Sequence, residues 1–278
     1  IPVPLIFVYV QFGRRPGITL FALVFTVLFL LVGPKQAFVF FAEYAVMAGI
    51  MAESIRLRFS FDKCILLSTL MSALVLAGLF FMLIERESTI TEFFQKQIEG
   101  HFEQSMEALN AMGKPGDVKV MHEFADKASG SLAQLYPSLI VMGIFVTAVI
   151  NYYTIRALWG YAYSVELFHP ARFSEWVIPD QVVWLLISSG LVSFLVDNTL
   201  GTIAVNLLFI ISIAYFLQGL AILINFLESR NVPVFFWVLI FFIVIFQPLL
   251  IGVGIGLGIF DIWMDFRKIR GIDKQVAK

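Results

Sequence analysis

The chain has 278 residues, of which 60% are hydrophobic and 14% charged, with a mean hydropathy of +0.90. That balance is too apolar for a soluble globular enzyme, a nucleic-acid binder or a disordered chain, and it points to an integral membrane protein in contact with the lipid bilayer. One Cys excludes a disulfide framework or a thiolate metal cage, and a net charge of -1 confines any electrostatic argument to local patches.

The expected fold class is all-α, a polytopic transmembrane helix bundle with short helical hairpins and an external amphipathic helical insertion. A spanning helix needs about 20 apolar residues. The apolar start, 1–12, lacks both an initiating Met and a basic leader region, so it reads as the end of a first helix that is otherwise missing and not as a signal peptide. Residues 18–32 and 38–54 are separated by Gly33-Pro34-Lys35-Gln36, which stops a helix and reverses it, and so predict a helical hairpin. Residues 61–84, 135–155 and 199–226 are long and nearly free of charge, and 182–196 is a shorter span closed by Asp197-Asn198. As a single helix, 234–266 would be about 50 Å long, and Gln247-Pro248 near its middle favours two short spans instead.

Lys and Arg near span ends favour the cytoplasm. Arg14 and Arg15 follow the first span, and Arg56, Arg58 and Lys63 follow the third, which puts both loops inside. The same parity puts 85–131, with nine acidic and five basic residues, outside. The tail with Arg267, Lys268, Arg270, Lys274 and Lys278 is then cytoplasmic, after about nine apolar passes. Four parts follow: N-terminal transmembrane helices 1–84, an external amphipathic helical segment 85–131, C-terminal transmembrane helices 132–266 and a basic cytoplasmic tail 267–278. Within the external segment, Ile90, Phe94, Ile98, Phe102, Met106 and Leu109 recur every three or four residues, and Glu92, Lys96, Glu99, Glu103 and Glu107 take another face. A second helix, with Val118, Met121, Ala125, Ala128 and Leu132 on one side, leads into the next span. These helices either cap the membrane domain or bind a partner.

Catalytic patterns are absent. His101, His122 and His169 are scattered, and no metalloprotease, serine-hydrolase or phosphate-loop motif occurs, so neither an enzyme nor a metal or other cofactor is expected. Cys64 reads as a small buried hydrophobe. Polar residues inside apolar spans are then the functional candidates. Glu43, in FVFFAEYAVMAG, lies too deep to reach water easily, and with Asn206 it could line one outward-facing ligand site. The alternative is a Glu43 that is protonated or hydrogen-bonded to a neighbouring helix. Asp261 and Asp265, four apart in GIFDIWMDFRK, are expected to pair with Arg156 and join two helices, or else to serve ion coupling or gating. Gly252 with Gly256, and Gly254 with Gly258, form two overlapping GxxxG pairs expected to pack against helices on two sides.

The segments PVPLIFVYVQFGRRPG, NLLFIISIAYFLQGLAILINF and GLGIFDIWMDFRK, with the amphipathic stretch before YPSLIV, resemble the YybS-like bacterial integral membrane proteins, an uncharacterised family. The resemblance covers most of the chain. That family is distantly similar in helix pattern to the substrate-binding S components of energy-coupling-factor transporters and to the cell-shape protein MreD. It implies a multi-pass protein of the bacterial cytoplasmic (inner) membrane, and a small-molecule binding or transport subunit whose partners would be other membrane subunits or a cytoplasmic ATPase module. A non-transporting scaffold of a membrane assembly is the other reading, and no nucleic acid is involved in either.

Overall fold

Two glycines with positive φ set the first turns of the chain. Gly13 (φ 98°) joins helix α1 (Val3–Phe12) to α2 (Arg14–Leu31), and Gly33 (φ 110°) joins α2 to α3 (Pro34–Phe40) with Pro34 in the first helical turn. The expected hairpin at 33–36 is thus present. At φ 98° and ψ -177°, Gly13 sits in backbone space that only glycine occupies readily. Gly13→Ala should cost about 1–3 kcal/mol in thermal unfolding, although an added Cβ would meet nothing nearer than 3.9 Å. A smaller loss would show that the α1–α2 turn relaxes freely.

The computed structural model describes residues 2–83, 100, 103–104, 107, 115–163, 167–168 and 173–269, and no strand occurs among them. The chain divides into two units, Ile1–His169 and Pro170–Lys278.

In the first unit α3 continues through a π-helical turn, Phe41–Ala45, into α4 (Val46–Arg56), and a short turn leads to α5 (Phe61–Leu83). Helix α6 (Pro115–Ala162) is 48 residues long and runs without a break through the expected boundary at 131. It carries Pro137 in its interior, where the missing N–H leaves a backbone carbonyl one turn earlier without its helical donor. Helices α1 and α4 and the facing parts of α5 and α6 enclose Ile6, Met47, Met51, Ile55, Tyr152 and Ile155. Cys64 is buried there, as expected. Of the expected external segment 85–131, residues 115–131 form the start of α6 and Gly100, Glu103, Gln104 and Glu107 are helical, while the rest lies outside the described residues.

The second unit begins with a 3-10 turn (Phe173–Glu175) and continues with α7 (Val182–Leu195), α8 (Thr199–Ser229), α9 (Val234–Phe246) and α10 (Pro248–Met264). Asn198 caps α8 by accepting a hydrogen bond from the Leu200 N–H at 2.8 Å, the local chemistry that ends the preceding span. Ile178, Val183, Ile211 and Tyr215 form the apolar core of this unit.

Five helices among the described residues are long and apolar enough to cross a membrane: Arg14–Leu31, Pro34–Arg56, Phe61–Leu79, Leu132–Ala162 and Thr199–Ser229. Helices α9 and α10 together could make a sixth, bent by 105° at the Gln247-Pro248 break. The expected nine passes are therefore not all full spans. Helices α1 and α7, with 10 and 14 residues, reach only about 15 and 21 Å, short of the roughly 30 Å of hydrocarbon. Exposed Leu30, Leu31, Phe194 and Phe235 are the ordinary surface of such helices in lipid. The basic tail from Arg270 onward lies outside the described residues.

Candidate functional site

Hydroxyl side chains in an apolar helix normally return their hydrogen to a carbonyl three or four residues back. Thr19, Thr26, Ser138, Thr154, Ser188, Ser189, Ser193 and Ser229 all do so here, at 2.7–3.2 Å. Ser68, Thr69 and Ser72 on α5 do not. Their oxygens are buried and have no hydrogen-bond partner. Ser68 and Ser72 are fully enclosed and one helical turn apart, so they lie along one stripe with Cys64.

Two further unsatisfied atoms stand on α6, which packs against α5. The Tyr152 ring meets the Phe61 ring at 5.0 Å, and this contact sets the register of the two helices. Beside it, Asn151 donates its amide to the Thr147 carbonyl at 2.7 Å, while the Asn151 Oδ1 and the Tyr152 hydroxyl have no hydrogen-bond partner. All five groups are neutral. An unsatisfied buried polar group costs about 1–3 kcal/mol. Five of them lie on this one pair of helices.

Glu43 belongs to the same unit. It is half-buried in the π-helical turn, beside the Tyr44 hydroxyl, and the turn packs against α5. Single π-turns inside α-helices frequently mark functional positions, because the extra residue re-aims a side chain. Asn206 is buried on α8 and donates to the Thr202 carbonyl at 2.9 Å. Glu43 and Asn206, expected to share one site, fall in different units.

At the other end of α4, Glu53 accepts hydrogen bonds from the Tyr9 hydroxyl (2.9 Å) and from Arg14, both through Nε (3.1 Å) and through Nη2. The Arg56 guanidinium lies 5.9 Å from the Tyr9 ring centroid. Gly17 allows this approach, since a Cβ there would lie 2.3 Å from the Tyr9 ring. The clasp joins α1, α2 and α4.

The second unit holds a different polar cluster, and nearly every group in it is satisfied. Asp261 Oδ2 accepts from Arg267 Nη2 at 2.7 Å and from Gln218 Nε2 at 3.1 Å. Gln218 Nε2 also donates to the Gly258 carbonyl at 3.1 Å, and its Oε1 accepts the Ile178 N–H at 2.9 Å. Arg267 Nη1 donates to the carbonyls of Ser174 and Trp176, both at 2.9 Å. The Phe266 N–H donates to Asp261 Oδ1 at 3.0 Å. Only Arg267 Nε lacks a partner. Charged groups so enclosed persist only when paired in this way. The cluster ties the 173–178 segment to α8 and α10.

Asp261, expected with Asp265 to pair with Arg156, is paired with Arg267. Asp261 takes Arg267, six residues away, because Asp265 adopts a left-handed conformation (φ 42°) and folds the chain back over the last turn of α10. Asp265 lies just beyond the helix and accepts the Ile269 N–H, and Arg156 is exposed in the first unit.

The glycines divide likewise. A Cβ at Gly258 would lie 2.0 Å from the Tyr215 carbonyl oxygen, and one at Gly219 would lie 2.1 Å from the Gly254 carbonyl oxygen, so α8 and α10 cross backbone to backbone. A Cβ at Gly252 or Gly256 would meet nothing within 4 Å among the described residues. Two residues along a helix is about 200° of rotation, and the two pairs therefore face opposite ways.

Among the described residues, no group of three or more His, Cys, Asp or Glu is placed to hold a metal ion. Sequence reasoning passed over Ser68, Thr69, Ser72, Asn151 and Tyr152, and it read Arg267 as part of the basic tail. The four-residue spacing of Ser68 and Ser72 within an apolar run was the available signal.

A family model described as a predicted membrane protein, DUF2232, matches residues 1–262. No curated protein and no solved structure matches the chain.

Proposed function

The chain belongs to the DUF2232 family of predicted membrane proteins, and on that premise we propose that it is a non-catalytic subunit that binds a small polar molecule among its N-terminal helices. Its role resembles that of an S component, serving transport across the bacterial cytoplasmic membrane with its C-terminus on the cytoplasmic side and other membrane subunits or a cytoplasmic ATPase module as partners. The observation that carries the reading is the set of unsatisfied buried atoms on Ser68, Thr69, Ser72, Asn151 and Tyr152. A protein that only scaffolds an assembly gains nothing from polar groups that destabilise its own helix contacts, whereas a binding protein recovers their cost on the ligand. Glu43 lies on a turn packed against the same helix.

The test is a paired measurement on gently purified protein. Ser68→Ala with Ser72→Ala should raise the stability of ligand-free protein by about 1–3 kcal/mol for each hydroxyl removed. Retention of co-purified small molecules, read by native mass spectrometry, should fall at least about ten-fold, the equivalent of 1.4 kcal/mol. Glu43→Gln should leave folding intact and weaken retention. Unchanged retention in both variants would remove the binding reading and leave a non-transporting scaffold as the better account.

A further inference from the structure

One end of the first unit carries a dense group of cations. Arg14 and Arg15 open α2, Arg56 closes α4, Arg58 lies in the following turn, and Lys63 stands in the first turn of α5. Contacts between the helices bring them together. The Arg56 guanidinium lies beside Gly13 and the Tyr9 ring, and Arg14 reaches Glu53 on α4. Helix α6 joins them through Tyr152 and Tyr153, whose rings meet Phe61 at 5.0 and 5.4 Å, and Arg156 follows one turn later. Among the described residues, two acids stand at this end, Glu53 and Asp62, and Glu53 is engaged by Arg14. Arg15, Arg56, Arg58, Lys63 and Arg156 are all exposed.

The neighbouring surface decides what these charges face. Exposed Phe12 (61%) and Leu66 (64%), with Leu57 and Leu158, lie within a turn of the cations on the same elements. A soluble anion or an acidic protein segment matches the charges and leaves this apolar rim uncovered. An amphiphile with a phosphate at its head and hydrocarbon below matches both. We propose that this end of the first unit is a binding surface for acidic phospholipid headgroups, with Arg15, Arg56, Arg58, Lys63 and Arg156 holding phosphate and the apolar rim holding the upper acyl chain. It follows that net charge is a poor guide to this chain, because the cations are concentrated at one end. The surface does not depend on the ligand reading of Ser68 and Ser72.

The experiment uses the full chain in neutral detergent, titrated with phosphatidylglycerol or with phosphatidylcholine of the same acyl chains, and reads bound lipid by native mass spectrometry together with thermal stabilisation. Phosphatidylglycerol should bind and stabilise, and phosphatidylcholine should do neither. Each cation removed should weaken binding about five-fold. Arg15→Gln with Arg58→Gln and Lys63→Gln should therefore lose on the order of a hundred-fold, and Lys35→Gln, a cation at the Gly33–Pro34 turn, should lose nothing. If the triple variant does not fold, Arg15→Gln with Lys63→Gln carries the test, with a loss of about 25-fold. Equal binding of the two lipids, or full retention of phosphatidylglycerol by a folded variant, would overturn the proposal. Glycerol phosphate or a poly-glutamate peptide binding as tightly as the acidic lipid would also overturn it, in favour of a free phosphate ligand or an acidic protein partner respectively.

Discussion

Arg267→Met should destabilise the second unit by about 3–5 kcal/mol, because it leaves the Asp261 carboxylate enclosed without its cation. The Arg267 and Asp261 side chains are 2% and 1% exposed, so water cannot take the place of the lost partner. The Ser174 and Trp176 carbonyls lose their donor in the same step. Replacing both members, Arg267→Met with Asp261→Leu, should recover part of the loss, since an apolar pair of similar volume does not carry the desolvation cost of two ions. Unfolding followed through the fluorescence of Trp176, Trp184, Trp237 and Trp263 measures both effects. A loss below about 1 kcal/mol for the single variant would mean that the pair behaves as a solvated surface bridge.

The second large effect is at the crossing of α8 and α10. Gly258→Leu must push a backbone away, because even its Cβ would overlap the Tyr215 carbonyl, and overpacking costs about 1–3 kcal/mol or more. Gly256→Leu, two residues earlier, should stay within about 0.5 kcal/mol of the parent. The contrast is the informative part. Equal losses at both positions would mean that an intrinsic feature of the helix is responsible and not the crossing.

Features written in local backbone chemistry were legible in the sequence. Gly33-Pro34 turns the chain, Asp197-Asn198 starts α8, and Gln247-Pro248 breaks the last apolar run, each by a mechanism confined to a few residues. Features that depend on facing were not. GxxxG spacing occurs twice on α10, and sequence alone does not say which pair meets α8. Asp261 was legible as a buried acid, but its partner comes from beyond the helix, after a left-handed turn that no periodicity reveals. The span count failed for a related reason, since hydropathy marks an apolar run without measuring how much of a bilayer its helix covers. For the candidate site, Glu43 stood out because a carboxylate in a span is rare, whereas the π-turn beneath it leaves no mark in a hydropathy pattern. Ser68 and Ser72 were hidden among hydroxyl residues that satisfy themselves on their own helices.

The Asp261 cluster also imposes an order in time. The Ser174 carbonyl and the Arg267 side chain that caps it are 93 residues apart. At synthesis rates of about 5–20 residues per second, the 173–178 segment waits about 5–18 s for that Arg to emerge. Gln218 waits similarly for Gly258 and Asp261, 40 and 43 residues later. During that interval these polar groups lack the partners they have in the finished fold. The second unit therefore closes only after its last helix is in place, and a nascent chain stalled before Arg267 carries every helix of that unit without the side chain that locks them.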